Sequence, residues 1–309
     1  MSQTALGLYG VLTAVTGEGG LRIAAPGVSS PNIRLSSAVH MLRELLTQAA
    51  TKPLPQGNAK RLTVLQFDDH AHHRFSSLAF GRAVGLFPLV QLIVDPYFYF
   101  ARGFQPLRRL AEAGELPLWL DRADILFWRG RGSHNGVKPD GAPVTSLGEV
   151  PRVSAALHLR GNPYADVGLI GAWIQPQSDE EALTYFRQQG ILRASLPMSD
   201  HSRYKFQLDI DGVANAWATM ERFLCGSCVL KVGTPFEMWF YNRLRPWEHF
   251  IPVKADLSDI DEQLDWCLTH DGQAREIARA GQAVALSLTY EHALNLALTR
   301  LGATAIILE

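Results

Sequence analysis

Residues 199–254, SDHSRYKFQLDIDGVANAWATMERFLCGSCVLKVGTPFEMWFYNRLRPWEHFIPVKAD, decide the fold of this 309-residue chain. Their pattern predicts a strand over Tyr204–Ile210, a tight turn at Asp211-Gly212, a helix over about Ala214–Leu224 and a second strand at Cys228–Val232. A helix around Phe236–Leu244 and a third strand at His249–Lys254 follow. Strands alternating with helices call for a parallel sheet with crossover helices, so the class is α/β. The short entry Gly212-Val213-Ala214 would leave free backbone N–H groups at a helix start, where phosphate oxygens bind well.

Outward from this segment the same alternation continues. A helix is predicted at Ser36–Ala49, strands at Leu62–Phe67, Leu89–Val94 and Ile125–Trp128, and helices near Arg108–Ala113, Val153–Arg160, Glu180–Gln189 and Ile260–Leu268. A largely helical tail runs from Gln273 to about Leu301. The stretch Ile125–Trp128 is expected to open into a mobile Gly-rich loop, RGRGSHNGVKPDG. The length suits two α/β domains, each large enough for a core of its own. The expected division is an N-terminal lobe over 1–118 and a C-terminal lobe over 119–309 that includes the tail.

Composition narrows the function classes. With 47% hydrophobic and 19% charged residues the chain is ordinary globular protein. A net charge of −1 gives no electrostatic case for a nucleic-acid partner. No apolar run approaches the ~18–20 residues that span a bilayer. The start, MSQTALGLYG, lacks the basic and apolar regions of a signal peptide, and three cysteines make no disulfide framework, so the expected compartment is the cytoplasm. Arg243 and Arg245 beside Trp247 are a weak surface anchor, compatible at most with peripheral association at the inner face of a membrane.

Several residues could carry chemistry. Asp68-Asp69 directly follow the strand VLQF, and groups just past strand ends face the binding crevice of an open α/β sheet. They could be solvated loop acids, or one could be a general base. Together with His70, His72 and His73 they could instead ligate a divalent metal, although their order is unlike the HxHxDH arrangement and no HExxH occurs. Arg129 and Arg131 could grip a diphosphate bidentately or be solvent-facing. The CxxC at Cys225–Cys228 ends a helix and starts a strand, the reverse of the redox polarity, and reads as structural. Trp239, Trp247 and the cluster Tyr97–Phe100 could stack on a sugar or base but suit a core equally.

The blocks Tyr204-Lys205, Asp211-Gly212-Val213-Ala214, Phe223-Leu224-Cys225-Gly226-Ser227, Arg245-Pro246-Trp247-Glu248-His249 and Ile251-Pro252-Val253-Lys254, with Asp256-Leu257-Ser258, together resemble glycosyltransferase family 90. That family includes protein O-glucosyltransferases and bacterial lipopolysaccharide or capsule glycosyltransferases. The resemblance is strongest over about 199–285. It implies a GT-B-like fold of two Rossmann-like lobes with a donor cleft between them, a UDP-sugar donor (glucose or xylose foremost), inversion at the anomeric carbon, and no cofactor or catalytic metal. It aligns Val64–Ala71 with the segment whose last acid is the base, which makes Asp69 that residue. It assigns the donor diphosphate to Arg129, Arg131 and Arg152, with the turn and helix start Asp211, Gly212, Val213, Ala214 and Asn215. The acceptor it implies is a hydroxyl on a glycan or protein, with a bacterial surface glycan such as lipopolysaccharide or capsule preferred. Two departures stand out. Ala218 occupies a position where the family usually has a diphosphate-binding arginine, and Met238 one where an acid is usual. They keep a non-catalytic sugar-nucleotide- or glycan-binding relative open beside the enzyme, and a metal-dependent hydrolase built on Asp68–His73 is the third reading.

Overall fold

The structure, a computed structural model, describes residues 11–17, 20–24, 33–49, 60–67, 71, 74–136, 143–175 and 177–308. Along the chain run β1 (Val11–Gly17), β2 (Gly20–Ala24), α1 (Ile33–Ala49), β3 (Lys60–Gln66), β4 (Ser77–Ala79), β5 (Gly81–Ala83), β6 (Val90–Leu92) and α2 (Pro96–Phe100). Next come α3 (Gln105–Glu112), β7 (Ala123–His134), α4 (Pro151–His158), β8 (Ala165–Ile174), α5 (Asp179–Gln188), α6 (Met198–His201), β9 (Tyr204–Asp209), α7 (Thr219–Leu224) and β10 (Cys228–Val232). The last are β11 (Phe236–Met238), β12 (Ile251–Val253), α8 (Ile260–Thr269), α9 (Asp271–Ser287), α10 (Tyr290–Thr304) and β13 (Ile306–Leu308).

The chain divides into two compact units. One comprises Met1–Gly103, Pro235–Tyr241 and Leu288–Glu309; the other comprises Phe104–Thr234 and Asn242–Ser287. The division falls at Gly103/Phe104 rather than near residue 118, and α10 and β13 join the first unit instead of the second. The expected helix at Phe236–Leu244 is absent. Its start is the strand β11, paired antiparallel with β5, and Tyr241–Arg243 is a single 3-10 turn.

The first unit holds a mixed sheet in the order β2-β1-β3-β4-β6, with β13 also on β3. β1 and β13 meet β3 antiparallel, whereas β3, β4 and β6 run parallel. The aromatic run Tyr97–Phe100 lies on α2, which Asp95 caps by accepting from Phe98 N at 3.0 Å. Phe98 and Tyr99 are buried there, and Tyr97 and Phe100 are exposed.

The second unit holds an all-parallel sheet in the order β12-β10-β9-β7-β8, the α/β arrangement expected from the sequence. Numbered within the unit this is 2-1-3-4-5, a doubly wound order. The chain leaves β7 to one side for β8 and returns to β9 on the other, so the topological switch point lies between β7 and β9. Phe206 and Leu208 of β9 face the apolar core with Trp128, Phe186 and Leu230. The alternate residues Lys205, Gln207 and Asp209 are equally buried, and each has a polar partner. Lys205 pairs with Asp124 and Asp271, Gln207 donates to Ser227 Oγ, and Asp209 meets Arg222 and Lys231. A polar row inside a parallel sheet is tolerated because each of these side chains has a polar partner, with only Gln207 Oε1 of the row left unmet.

Candidate functional site

Ligands of open α/β sheets bind outside the carboxyl ends of the strands, at the switch point. In this chain that point is defined by the ends of β7 and β9 and the segment Asp211–Ala218. β7 is longer than the sequence suggests. The expected loop RGRGSH is strand, paired parallel with β8 as far as His134↔Ile174. Its glycines serve packing rather than mobility. A Cβ on Gly130 would lie 2.5 Å from the Trp128 ring, and one on Gly132 would lie 2.9 Å from both Leu169 and Phe186.

This changes the standing of the arginines. Arg129 is held inside the sheet structure. It donates to Asp166 Oδ2 at 2.7 Å, to the carbonyls of Asp166 at 2.8 Å and Ala194 at 3.2 Å, and lies 4.5 Å over the Phe127 ring. Its side chain is 8% exposed, so the guanidinium is a structural tie and is not presented for a diphosphate. Arg131 is exposed, and its side chain lies along Gly171 of β8, where a Cβ would come 3.1 Å from Nε. It makes no ion pair among the described residues.

Arg152, at the start of α4, crosses the switch point. Nη1 donates to Arg131 O at 3.1 Å and Ser133 Oγ at 2.9 Å; Nε donates to Ile210 O at 3.2 Å and Asp211 O at 3.1 Å; Nη2 donates to Ile210 O at 3.1 Å. It therefore stitches the ends of β7 and β9 together directly beneath the Asp-Gly turn. Glycine leaves these side chains their room at 212: a Cβ there would lie 2.3 Å from Ser133 Oγ and 3.0 Å from Arg152 Cζ, and both tips would have to shift. The Gly212 backbone can thus approach closely where a side chain would not.

The expected helix start at Gly212–Asn215 is not there. α7 begins at Thr219, with Ala218 as its N-cap and no side-chain cap bond. Ahead of it, Asp211 Oδ1 accepts from Ala216 N at 2.8 Å, Oδ2 meets Thr234 Oγ1, and Gly212 N donates to Ala214 O at 3.0 Å. The N–H groups of Val213, Ala214 and Asn215 meet no acceptor among the described residues. Asn215 is 3% exposed and both its side-chain amide atoms lack a partner. Unpaired buried polar groups are costly and mark positions that something else satisfies. Successive free backbone N–H groups in a turn can form an anion-binding nest without any helix. Burial of Asp211 raises its carboxyl above the usual range despite the nearby Lys231.

Behind the turn lies a cluster the sequence reading missed. Asp209, fully buried, receives Arg222 Nη1 and Lys231 Nζ at 2.8 Å each and Thr219 Oγ1 at 2.9 Å. Arg222, one helical turn beyond Ala218, is consumed by this cluster and does not replace the family arginine. Lys231 sits in an otherwise apolar strand, VLKV, and a lone lysine in a buried strand is the signal that a carboxylate lies opposite. Ser133 was also passed over, although it follows Arg131 by the two-residue strand period.

Asp69 lies outside the described residues, as do Asp68, His70, His72 and His73. On either side, β3 ends at Gln66 with Phe67 buried, and Ala71 N donates to Gly81 O at 2.8 Å. No group of three or more potential metal ligands occurs among the described residues. The three cysteines are free and buried, and burial pushes the Cys225 thiol up to about 12, which suits packing rather than redox chemistry. No helix among the described residues is long and apolar enough to cross a membrane.

Residues 104–292 match the pattern of glycosyl transferase family 90, and the chain belongs to that family. It is 30% identical to protein O-glucosyltransferase 3 of Rattus norvegicus over 173 residues, which cover 56% of this chain and 30% of the rat protein. Protein O-glucosyltransferase 1 of the same species is 45% identical over 82 residues, covering 26% of this chain and 21% of the relative. The chain thus matches less than a third of the length of either. Among solved structures, Anabaena Alr3699/HepE in complex with UDP and glucose aligns with a TM-score of 0.43 and 13% identity, covering 71% of this chain and 59% of that one.

Proposed function

We propose that the chain is an inverting glycosyltransferase that takes a UDP-sugar, glucose or xylose foremost, and passes the sugar to an acceptor hydroxyl without a catalytic metal. The observation that carries this reading is the row of unpartnered N–H groups at Val213, Ala214 and Asn215 on the switch-point loop. Membership of family 90 and the glucosyltransferase names of its relatives support the choice of chemistry. The diphosphate oxygens accept from those N–H groups and from the Asn215 amide. Arg152 holds the turn in shape, and Arg131 supplies the mobile cation that stabilises the departing UDP. Asp69 is assigned as the base from the family likeness of Val64–Ala71. It takes the proton of the acceptor hydroxyl as that oxygen bonds to the anomeric carbon and the bond to UDP breaks. The acceptor is a hydroxyl of a glycan, a bacterial surface polysaccharide or lipopolysaccharide before a protein.

The test pairs UDP affinity with sugar transfer. Asp69→Asn should leave UDP affinity within about twofold and reduce transfer by two or more orders of magnitude, the usual scale of general-base loss. Arg131→Ala should weaken UDP binding by roughly 10–100-fold, the equivalent of one charge-assisted contact, with unfolding unchanged. Equal loss of both properties in Asp69→Asn would remove it as the base.

A second reading has one observation in its favour. Ala218 caps α7 where the family has an arginine, and Arg222 is committed to Asp209. A chain that binds a sugar nucleotide without turning it over would fit those two facts. Slow hydrolysis of UDP-glucose or UDP-xylose by the wild-type chain, lost in Asp69→Asn, separates enzyme from binder.

A further inference from the structure

The opposite end of the same parallel sheet carries a cavity that the proposed donor site does not use. Its volume is about 200 Å³, and it is lined by Arg122, Arg275, Arg279, Gln282, Trp119 and Leu118, with small residues completing the wall. Arg122 immediately precedes β7 and Gly226, another wall residue, lies just before β10, so the cavity sits at the amino ends of the strands. Asp211 lies past their carboxyl ends, roughly 20 Å away, the length of a six-residue strand at ~3.3 Å per residue.

The wall is one-sided in charge. It has three guanidinium groups and neither an aspartate nor a glutamate. Arg275, Ala278, Arg279 and Gln282 present one face of α9 at helical spacing. Arg122 is 9% exposed and donates to the carbonyls of Pro117 at 3.0 Å, Cys225 at 3.0 Å and Gly226 at 2.7 Å. It meets no carboxylate, and its Nη2 has no acceptor among the described residues. Nη2 is not fully enclosed and opens on the cavity, leaving one free donor there for an anion. Of the neighbouring acids, one already pairs with a wall arginine, Arg279, and the other is engaged elsewhere, which leaves Arg122 and Arg275 without an ion pair among the described residues. Glu276 pairs at 3.1 Å with Arg279 where both are exposed, and Asp271 accepts from Trp119 Nε1 at 3.0 Å and Lys205 Nζ at 2.8 Å. At this size the cavity is below the ~300–1,000 Å³ of sites for drug-sized ligands and suits a small group.

We propose that this cavity binds a phosphoryl oxyanion, gripped by Arg122 Nη2 from within and by Arg275 and Arg279 from α9. Guanidinium forks match phosphate oxygens bidentately, and three of them around one small space suit the several oxygens of a phosphoryl group better than the two of a carboxylate. Leu118, 71% exposed on the rim, lets the phosphoryl group come either from a free phosphate or from a lipid headgroup whose chains lie beyond it.

Two probes decide it, applied to the full chain, to Arg275→Ser/Arg279→Ser and to Arg275→Lys/Arg279→Lys. Inorganic phosphate is titrated calorimetrically at low ionic strength against an equal ionic strength of chloride. Vesicles of phosphatidylglycerol are compared with phosphatidylcholine by co-sedimentation. The wild type should bind phosphate saturably, the serine variant at least about tenfold more weakly and the lysine variant in between, because a point charge replaces a fork. Binding of phosphatidylglycerol alone, lost in the serine variant, equally supports the site and names a lipid as its source. UDP affinity should be the same in all three chains, since the replaced residues lie far from Gly212. Phosphate binding that survives in the serine variant, or neither probe binding more than its control, overturns the proposal. Arg122 is left intact because its carbonyl contacts also hold the Gly226 turn.

Discussion

Arg222 Nη1 stands 2.8 Å from Asp209 Oδ1, with the arginine side chain 5% exposed and the aspartate fully enclosed. Lys231 Nζ closes the other carboxylate oxygen at 2.8 Å. Burial alone would raise the Asp209 carboxyl, but the charges of Lys231 and Arg222 outweigh it and hold it below the usual range. Asp209→Asn would strand two cations in the interior. It should cost about 3–5 kcal/mol in urea unfolding, the typical result of removing one partner from a buried ion pair. The depressed pKa gives a sign as well. The stabilisation is complete at neutral pH and is lost as pH falls through the folded-state value.

The close approach at Gly212 makes a sharper claim about binding. Gly212→Ala should push Ser133 Oγ and the Arg152 guanidinium aside and disturb the turn that presents Val213–Asn215. A side-chain tip can yield, so unfolding should shift by no more than about 1–3 kcal/mol, the usual cost of a modest overpacking. UDP affinity should fall by tenfold or more. Retained affinity would show that the turn does not face the diphosphate.

Arg129 tests the reverse pattern. Its guanidinium is occupied by the Asp166 carboxylate and the carbonyls of Asp166 and Ala194, so Arg129→Ala should lower stability by about 2–4 kcal/mol through the carboxylate and carbonyls left behind. UDP affinity, measured where the variant is still folded, should change little. A selective loss of UDP binding with intact stability would return Arg129 to the donor site.

In the first unit, burial raises the Asp95 carboxyl to about 6 in spite of its bond from Phe98 N. Between the ordinary value of 3.8 and about 6 the folded chain keeps a proton that the unfolded chain has released, so stability declines as pH rises through that window. Asp95→Asn keeps an oxygen for the helix cap and has nothing to ionise. It should raise stability at pH 7 by about 1–3 kcal/mol and flatten the profile above pH 4.

His201 carries the opposite dependence. Burial, then the charge on Arg222, lowers its pKa to about 4, and its Nε2 has no partner. The unfolded chain takes up a proton below about 6.5 that the folded chain refuses until about 4, so stability falls as pH drops across that range. The loss should be on the order of 2–3 kcal/mol, and His201→Gln should remove it from the difference between unfolding curves at pH 6.5 and 4.

Strands β9, β10 and β12 were legible because branched and aromatic residues recur between turn signals; Cys228–Val232 is met residue for residue. The glycines misled. RGRGSH reads as a mobile loop, yet Gly130 and Gly132 are small because Trp128 and Phe186 fill the space above them, a tertiary fact with no local trace. Asp-Gly before a helical pattern reads as a helix entry, but the Asp211 clamp on Ala216 N accompanies a start five residues later than expected, at Thr219. Arg152 was found through family likeness, and its bonding to β7 and β9 depends on strand order, which spacing alone does not reveal. Phe236–Leu244 looked helical because its apolar residues are dense; its partner, β5, lies some 150 residues away in sequence.

The delayed start of α7 bears on how such a protein diversifies. Asp211 and Thr219 fasten the two ends of a short span, and the side chains of Val213 and Trp217 between them hold no register in any helix. Exchanging those residues would reshape one wall of the crevice without rotating a single core residue out of place. If the loop holds the donor as proposed, sugar preference is open to retuning here by cassette replacement, with the sheet beneath left as it is.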